Sequence, residues 1–581
     1  MPRLYIAEKP SVAEVLAQTL GGAKKCATHW TTESGDMVTW AIGHLVSLSA
    51  PEDYNPAWKD WSVKNLPMLP DKFVWKPASA NAAKRLDEIE MVIKLVKPTS
   101  IVNACDAGRE GELIFRLIWT ELGLKETVPM ERLWLRSMTK EGIKAAIAQI
   151  EPADKYRNLA KAAAIRAIAD WTVGMNATRA ISHVMRQGLP RGEKSPLFSI
   201  GRVQTPTLAL VVDYDSMRKQ FKPETSFKVS GDFGPLTASV MVPGEAQAAA
   251  IKQACEGQPA VVTSTSVVEN RPPNPLFDLT TLQRFTNVTM GWTAAHTLAV
   301  AQKLYEAEKV ITYPRTEANA LPEDYEPEAQ RVMDSLAEQG FAPLVALALP
   351  TNQCPHKSLV FNNAQITDHF AMMPTGSKLS GGDKDAQTLY NIIVKRFISV
   401  FCPAEEVQVT TTTAVVGGNT FTHKAEVTTN PGWRAVYGKK ADSTPIAEVP
   451  VNPTCNNIQI AKLVTQPPPP MTEAVLLQQM SRPTPGSYIG LGTAATRASM
   501  IEKLKTCEYI APEGKGWVST DKGSQLVLEL RSRNLLDITN AQMTETWENR
   551  LRNIEKGLET TGDFNLDVRL STTHLVNALR V

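Results

Sequence analysis

Two short apolar runs, Leu4 to Ala7 and Ser100 to Ala104, are each followed by charged residues and then by a helix-patterned stretch, Val12 to Leu20 after the first and the amphipathic Glu112 to Leu124 after the second. An apolar run of this length that hands over to a helical period reads as a buried strand entering a crossover helix. The pattern returns with Met130 to Leu135 as a strand and Lys140 to Ile150 as a helix that Thr139 would cap. Residues 1–150 therefore read as an α/β domain with a mostly parallel sheet.

The 581 residues are enough for roughly three to five structural units with ample cores. Apolar runs such as Leu344 to Leu349 stop far short of the roughly 20 residues that a spanning helix needs, so no membrane segment is expected. Arg3, Glu8, Lys9 and Glu14 interrupt the N-terminus before a signal-peptide core can form, and a cytoplasmic location is expected. The seven cysteines, at 26, 105, 255, 354, 402, 455 and 507, include no Cys-x-x-Cys pair and encode neither a disulfide framework nor a zinc ribbon. Net charge is 62 − 60 = +2, but Lys155 to Lys222 holds 12 basic against 4 acidic residues, a local +8. That stretch is a candidate polyanion surface, and a set of solvated helix faces explains the charge equally well.

Beyond residue 150 the chain reads as helical through Lys161 to Arg186, then turn-rich from Gly188 to Pro196. From about 223 it changes to short alternating strands, Phe227 to Phe233, Thr237 to Val242 and Ala260 to Val268, and the same texture returns at 405–465. Between these, Leu279 to Val400 is largely helical, including Ala294 to Ala307, so a helical unit is inserted into a β unit. Pro467 to Pro470 mark a stiff linker, after which helical patterns run to the end.

Two constellations carry chemistry. Glu8-Lys9 follows the first strand and Asp106-Ala-Gly-Arg-Glu110-Gly-Glu112 follows the second. Side chains at the carboxyl ends of parallel strands converge on one crevice, so Glu8 and Asp106 are candidates for a shared Mg²⁺, which takes one or two carboxylates and completes its shell with water and phosphate. Acidic residues there also cap the helices that follow, and these residues alone leave both readings open. The second constellation is Ile311-Thr-Tyr313-Pro-Arg315-Thr316, a strand-like segment ending in a turn, where residues two apart share a face. A phenol is ionised to only about one part in a thousand at neutral pH, so an arginine beside Tyr313 is what phenolate chemistry on a phosphate requires. A packing tyrosine is the plainer alternative.

These motifs, taken together, resemble the type IA DNA topoisomerases, within them the bacterial topoisomerase III branch. The resemblance runs through Glu8-Lys9-Pro10-Ser11, Gly43-His44-Leu45, Asp106 to Glu112, Asp170-Trp-Thr-Val-Gly174-Met-Asn176-Ala-Thr-Arg179 and Gly201-Arg202-Val-Gln204-Thr-Pro206-Thr-Leu208. It continues through Gln302-Lys-Leu-Tyr305, Thr312 to Thr316, His369-Phe-Ala371-Met-Met-Pro374-Thr375 and Gly490-Leu-Gly492-Thr-Ala-Ala-Thr496-Arg497-Ala498. Their order and spacing, more than any single piece, make the match specific.

The resemblance implies a multidomain α/β and α+β architecture, a toroid whose Toprim domain occupies 1–150. It further implies a helical DNA-binding domain at 151–215 and 467–581, a β-rich arch at 216–280 and 405–466, and a helical domain carrying the active-site tyrosine at 281–404. Tyr313 matches the nucleophile that cuts one DNA strand and keeps the 5′ phosphate. Arg315 matches the arginine on the scissile phosphate, Lys9 the Toprim lysine, Glu8 the acid/base and metal-facing carboxylate, and His369 a histidine near the phosphodiester. By itself His369 reads as a buried, satisfied histidine. Glu8, Asp106 and Glu110 are the implied Mg²⁺ ligands, and Arg166, Arg179, Arg202, Gln204, Thr496 and Arg497 fall in motifs lining the single-strand path. No Gly-Lys-Ser/Thr sequence occurs, in keeping with a reaction that needs no ATP.

The implied activity is relaxation of negatively supercoiled DNA and decatenation, on a single-stranded segment of underwound duplex, by a monomer, with a helicase or single-strand binding protein as a possible partner. Gly108 stands where many relatives carry a second aspartate, which leaves a single Mg²⁺ as the expectation, and the cysteine-rich zinc modules that many relatives carry beyond the core are not expected here. A Toprim-type nuclease or primase would leave Tyr313 and the Gly201 to Leu208 block without a role. A noncatalytic single-stranded DNA-binding protein would need phosphate contacts but no nucleophile.

Overall fold

The protein's structure is a computed structural model that describes residues 2–21, 23–124, 128–135, 138, 140–187, 197–366, 369–442, 451–486 and 489–580. The expected N-cap Thr139 and the turn-rich Gly188 to Pro196 lie outside the described residues.

Arg3–Ala7 and Ser100–Ala104 pair in parallel at the centre of a seven-stranded sheet, with Leu4 opposite Ile101 and Ala7 opposite Ala104. The order is Ala23–Lys25, Trp30–Thr32, Met37–Trp40, Arg3–Ala7, Ser100–Ala104, Met130–Arg132, Glu151–Pro152. The four central strands run parallel and both flanks are antiparallel. Leu4, Ile6 and Ile101 bury one face against Leu86, Ile89, Leu113 and Ile114, while Tyr5, Val38 and Val102 bury the other against Ala13, Leu16 and Ile143. The helix Pro10–Thr19 opens on a proline, whose missing N–H is one that a first turn leaves unused.

The helix Arg157–Met185 packs against Arg109–Glu121 on one side and against the C-terminal helices Gln542–Glu555 and Thr561–Arg580 on the other. With Gln204–Lys219 and Glu473–Ser481, the long helix and the two C-terminal helices share one core, so segments on either side of the β unit fold together. The chain after Pro470 is not wholly helical: Ile510–Glu513 and Gly516–Ser519 form an antiparallel hairpin. The proline linker lies along the helix Gln204–Lys219, where Tyr214 and Arg218 donate to the Pro469 and Pro468 carbonyls.

A six-stranded antiparallel sheet has the order Val261–Arg271, Glu405–Val416, Asn419–Asn430, Leu236–Val242, Thr225–Phe233, Cys455–Val464. Val261–Arg271 and Glu405–Val416 stay in register from Val261 opposite Val415 to Arg271 opposite Glu405. The helical unit between them therefore hangs from the end of one strand pair. Its own core gathers Leu279, Leu282, Leu304, Ile311, Phe397 and Phe401.

Ile311 to Thr316 does not form a strand. Ile311 makes a single bridge to Pro374, Thr312 exchanges hydrogen bonds with Met373, and the pairing then stops. Pro314 has no N–H to continue a ladder. All seven cysteines are free, and among the described residues no helix is long and apolar enough to cross a membrane.

Candidate active site and nucleic-acid surface

The N-terminal unit and the helical unit meet at the ends of the two central parallel strands. Glu8 and Lys9 leave the first strand, and Asp106 leaves the second two residues past its end. From the other side, Thr312 donates to the Ala371 carbonyl and Thr316 to that of His369, which ties the Tyr313 segment to the His369 segment. Ser11 and Tyr305 share a hydrogen bond of 3.0 Å across the junction, and Lys309 reaches Glu14 at 3.4 Å.

Within this junction the Lys9 Nζ donates to Asp106 Oδ2 at 2.5 Å, lies 3.5 Å from Glu8 Oε1, and stands 4.0 Å from the centre of the Tyr313 ring. His369 Nε2 is 3.2 Å from the same Asp106 oxygen, and its ring lies 4.5 Å from that of Tyr313. The Asp106 N–H donates to Glu8 Oε2 at 3.3 Å. Arg315 has no carboxylate partner among the described residues, and its Nε is buried without an acceptor. A cation in that state is set to receive an anion.

Burial and the nearby Asp106 charge push the Glu8 carboxyl up to about 7, against the pull of Lys9. Burial would also raise Asp106, but His369 and Lys9 outweigh it and hold this carboxyl well below the usual range. For Lys9, burial favours the neutral amine and is overcome by Asp106 and Glu8, so the ammonium is held charged. Burial raises the Tyr313 phenol, and Lys9 and Arg315 do not cancel it. The neighbouring cations thus leave Tyr313 a protonated phenol, contrary to the activation expected from Arg315 alone.

The donors at Glu8 and Asp106 fit Mg²⁺. A carboxyl raised by a second carboxylate is one that a divalent cation would return to its charged form, and two carboxylates are what this ion usually takes from a protein. Glu110 does not join them: its carboxylate is 3.0 Å from both His44 Nε2 and Arg166 Nη2, on the side facing the long helix. Among the described residues no group of three or more His, Cys, Asp or Glu side chains is placed to hold a metal.

Sequence reading missed the residues that fix Asp106. Arg132, fully buried, donates to the Asn103, Cys105, Leu133 and Asp106 carbonyls and pairs with buried Glu112 at 3.3 Å. Its one signal is a charged residue inside an apolar run. Gly111 lets the helix Arg109–Glu121 approach, since a Cβ there would fall 2.2 Å from the Asp106 carbonyl oxygen.

The expected DNA-contact residues fall into different settings. Arg166 lines an open cavity of about 350 Å³ together with His44, Trp75, Glu110, Asp170 and Trp171. Arg202 is buried over Trp547, between Asp170 at 2.9 Å and Glu548 at 3.5 Å. Arg179 is buried and donates to the Trp58 and Asp60 carbonyls. Gln204 accepts from Ser199. Thr496 closes a capping box with Thr493, and Arg497 donates to Thr280 and faces Glu317. Gly490 makes room for the Arg497 guanidinium, 2.6 Å from where a Cβ would stand. The +8 stretch is therefore not a uniform phosphate groove, because Arg179 and Arg202 are buried and Arg157, Arg166, Arg202 and Arg218 pair with carboxylates.

The DNA topoisomerase family pattern matches residues 154–565, and the Toprim domain pattern matches residues 3–135. DNA topoisomerase 3 of Bacillus licheniformis is 34% identical, over 95% of this chain and 78% of its own length. The proteins of the same name from Shouchella clausii and Bacillus subtilis are 33% and 32% identical, over 98% and 99% of this chain and 80% and 82% of their own lengths. In fold the chain is similar to full-length topoisomerase I from Thermotoga maritima, with a TM-score of 0.71 at 21% identity, over 99% of this chain and 90% of that one. An N-terminal Toprim sheet whose strand ends face a tyrosine on a separate helical unit, matched by these relatives along nearly its whole length, belongs to the type IA DNA topoisomerases, in the topoisomerase III branch.

Proposed function

We propose that Tyr313 attacks a phosphodiester in an unpaired segment of underwound DNA, holds the 5′ phosphate while a strand passes, and is displaced when the 3′ hydroxyl rejoins. The observation that carries this reading is that Lys9 and His369, from two separate units, both lie against the Tyr313 ring and both bind Asp106. The Tyr313 oxygen bonds to phosphorus, the bond to the 3′ oxygen breaks, and a proton moves from the phenol to the departing oxygen. Glu8, pushed up to about 7, is the group able to hold or release that proton near neutrality. Lys9 and Arg315 supply positive charge to the phosphate. Mg²⁺ bound by Glu8 and Asp106 would fix the phosphate and the 3′ hydroxyl for rejoining.

The phosphodiester energy stays in the phosphotyrosine, so the cycle runs without ATP and serves both relaxation of negative supercoils and decatenation. One chain supplies every side chain of the cluster, in keeping with action as a monomer. The test is Tyr313→Phe, which keeps the ring and its packing. This variant is expected to bind single-stranded DNA as the wild type does and to form no denaturant-resistant adduct. An adduct at a 5′ end in the variant would remove Tyr313 from the role.

A further inference from the structure

Trp61 is an exposed tryptophan held in place by a buried arginine. Its side chain is 41% exposed between the short helices Pro56–Lys59 and Val63–Asn65. The Arg179 guanidinium lies 4.9 Å from the ring centre and donates to the Trp58 carbonyl at 2.5 Å and the Asp60 carbonyl at 3.4 Å. Asn65 braces the same turn by donating to the Ala57 and Asp60 carbonyls. The ring is thus fixed on a cation while much of its surface meets solvent, an arrangement that internal packing does not explain.

Its place along the long helix suggests what the open surface is for. Trp171, Met175 and Arg179 follow at four-residue intervals and lie along one side of Arg157–Met185. Trp171 lines the cavity that holds Arg166 and Asp170, and Met175 is 38% exposed. Arg179 stands about 12 Å beyond Trp171, at 1.5 Å per residue. We infer that Trp61 is a stacking platform for one unpaired nucleobase, a subsite beyond the Arg166 cavity on the path of the single strand. The inference rests on the proposal that an unpaired strand is the substrate. Flat π-faces suit bases of any sequence, and an arginine against the far side strengthens the stack. Arg179, spent on backbone carbonyls, positions the ring and makes no phosphate contact.

The experiment is equilibrium binding of the full-length protein to a fluorescent single-stranded oligonucleotide, with chelator present, over a range of salt concentrations. Trp61→Ala should weaken binding about 5- to 100-fold, as loss of one stacked base does. The slope of log affinity against log salt should not change, because no phosphate contact is lost. Trp61→Phe should restore most of the affinity. In a series of strands each lacking one base, a single position should cost the wild type affinity and cost Trp61→Ala nothing. Where Trp61→Ala fails to fold, Trp61→Leu, which keeps bulk but not the π-face, takes its place and is expected to behave the same way. Wild-type affinity in the Ala or Leu variant, a shallower salt slope, no rescue by Phe, or the same loss on every strand of the series would overturn the inference. Adduct formation by the wild type is scored separately, so failure of the Tyr313 reading shows there and leaves the binding result standing.

Discussion

The Lys9 ammonium lies 4.0 Å above the Tyr313 ring although the two residues belong to separate units. The same cation donates to Asp106 and faces Glu8, so one side chain touches the proposed nucleophile and both candidate metal ligands. Drawing the units apart removes the cation from Tyr313 and His369 from Asp106 together. The cleavage chemistry is therefore confined to the state in which the units touch.

Glu8 carries a pH prediction with a definite sign. Its folded-state value is raised from 4.5 to about 7, so the stability it contributes is full below about 4.5 and is lost as pH rises through about 7. Asp106, held low, acts in the opposite direction, and comparison with Glu8→Gln isolates Glu8. Urea midpoints should show the wild type losing stability relative to Glu8→Gln across that window and running parallel to it above. Mg²⁺ should lessen the loss. Parallel curves from acid to neutral would contradict the raised carboxyl.

Gly111→Ala should displace Asp106, because the added Cβ would meet its carbonyl oxygen at 2.2 Å and its amide nitrogen at 2.8 Å. The expected cost is about 1–3 kcal/mol of stability, together with loss of cleavage. Gly174 is helical too, but its nearest neighbour is the Ile200 carbonyl at 4.0 Å. Gly174→Ala should gain up to about 1 kcal/mol by helix propensity. Denaturant titration of the two variants checks the contrast, and equal effects would show that the close approach does not matter.

Arg132 and Glu112 form a fully buried ion pair. Arg132→Met leaves Glu112 with only Arg116 and Asn103 as partners among the described residues and should cost about 3–5 kcal/mol, whereas Arg132→Met combined with Glu112→Leu should recover part of it. Cleavage should stay impaired in both variants, since the Asp106 carbonyl has lost Arg132 and keeps only the Gly108 N–H as a donor among the described residues. Full activity in the double variant would show that Asp106 is held by other means.

Arg166 and Arg202 should part company in a salt titration. Arg166 borders the open cavity, and Arg166→Ala should weaken single-strand binding and reduce the salt slope by roughly 0.7. Arg202 is buried between two carboxylates, so Arg202→Ala should lower the unfolding midpoint and leave the slope alone. A reduced slope with Arg202→Ala at unchanged stability would return it to the DNA path.

By itself the sequence determined the local elements near the site and the residue types placed there. The runs at Leu4 to Ala7 and Ser100 to Ala104 are buried strands because an apolar run of that length finds its partners in a parallel sheet. Glu8, Lys9 and Asp106 stand at the strand ends for the same reason. Only the tertiary structure decided what those residues touch. The opening of the Ile311 to Thr316 ladder was legible and its end was not, since pairing depends on the His369 to Thr375 segment that the fold lays beside it. Charge counting marked Arg166, Arg179 and Arg202 alike. Packing then left the first beside a cavity with one carboxylate, Glu110, set the second under Trp61 and locked the third between Asp170 and Glu548. A side chain's charge is fixed by its covalent structure, but whether that charge is buried, paired or open to a ligand depends on neighbours distant in sequence, and those are set by the fold.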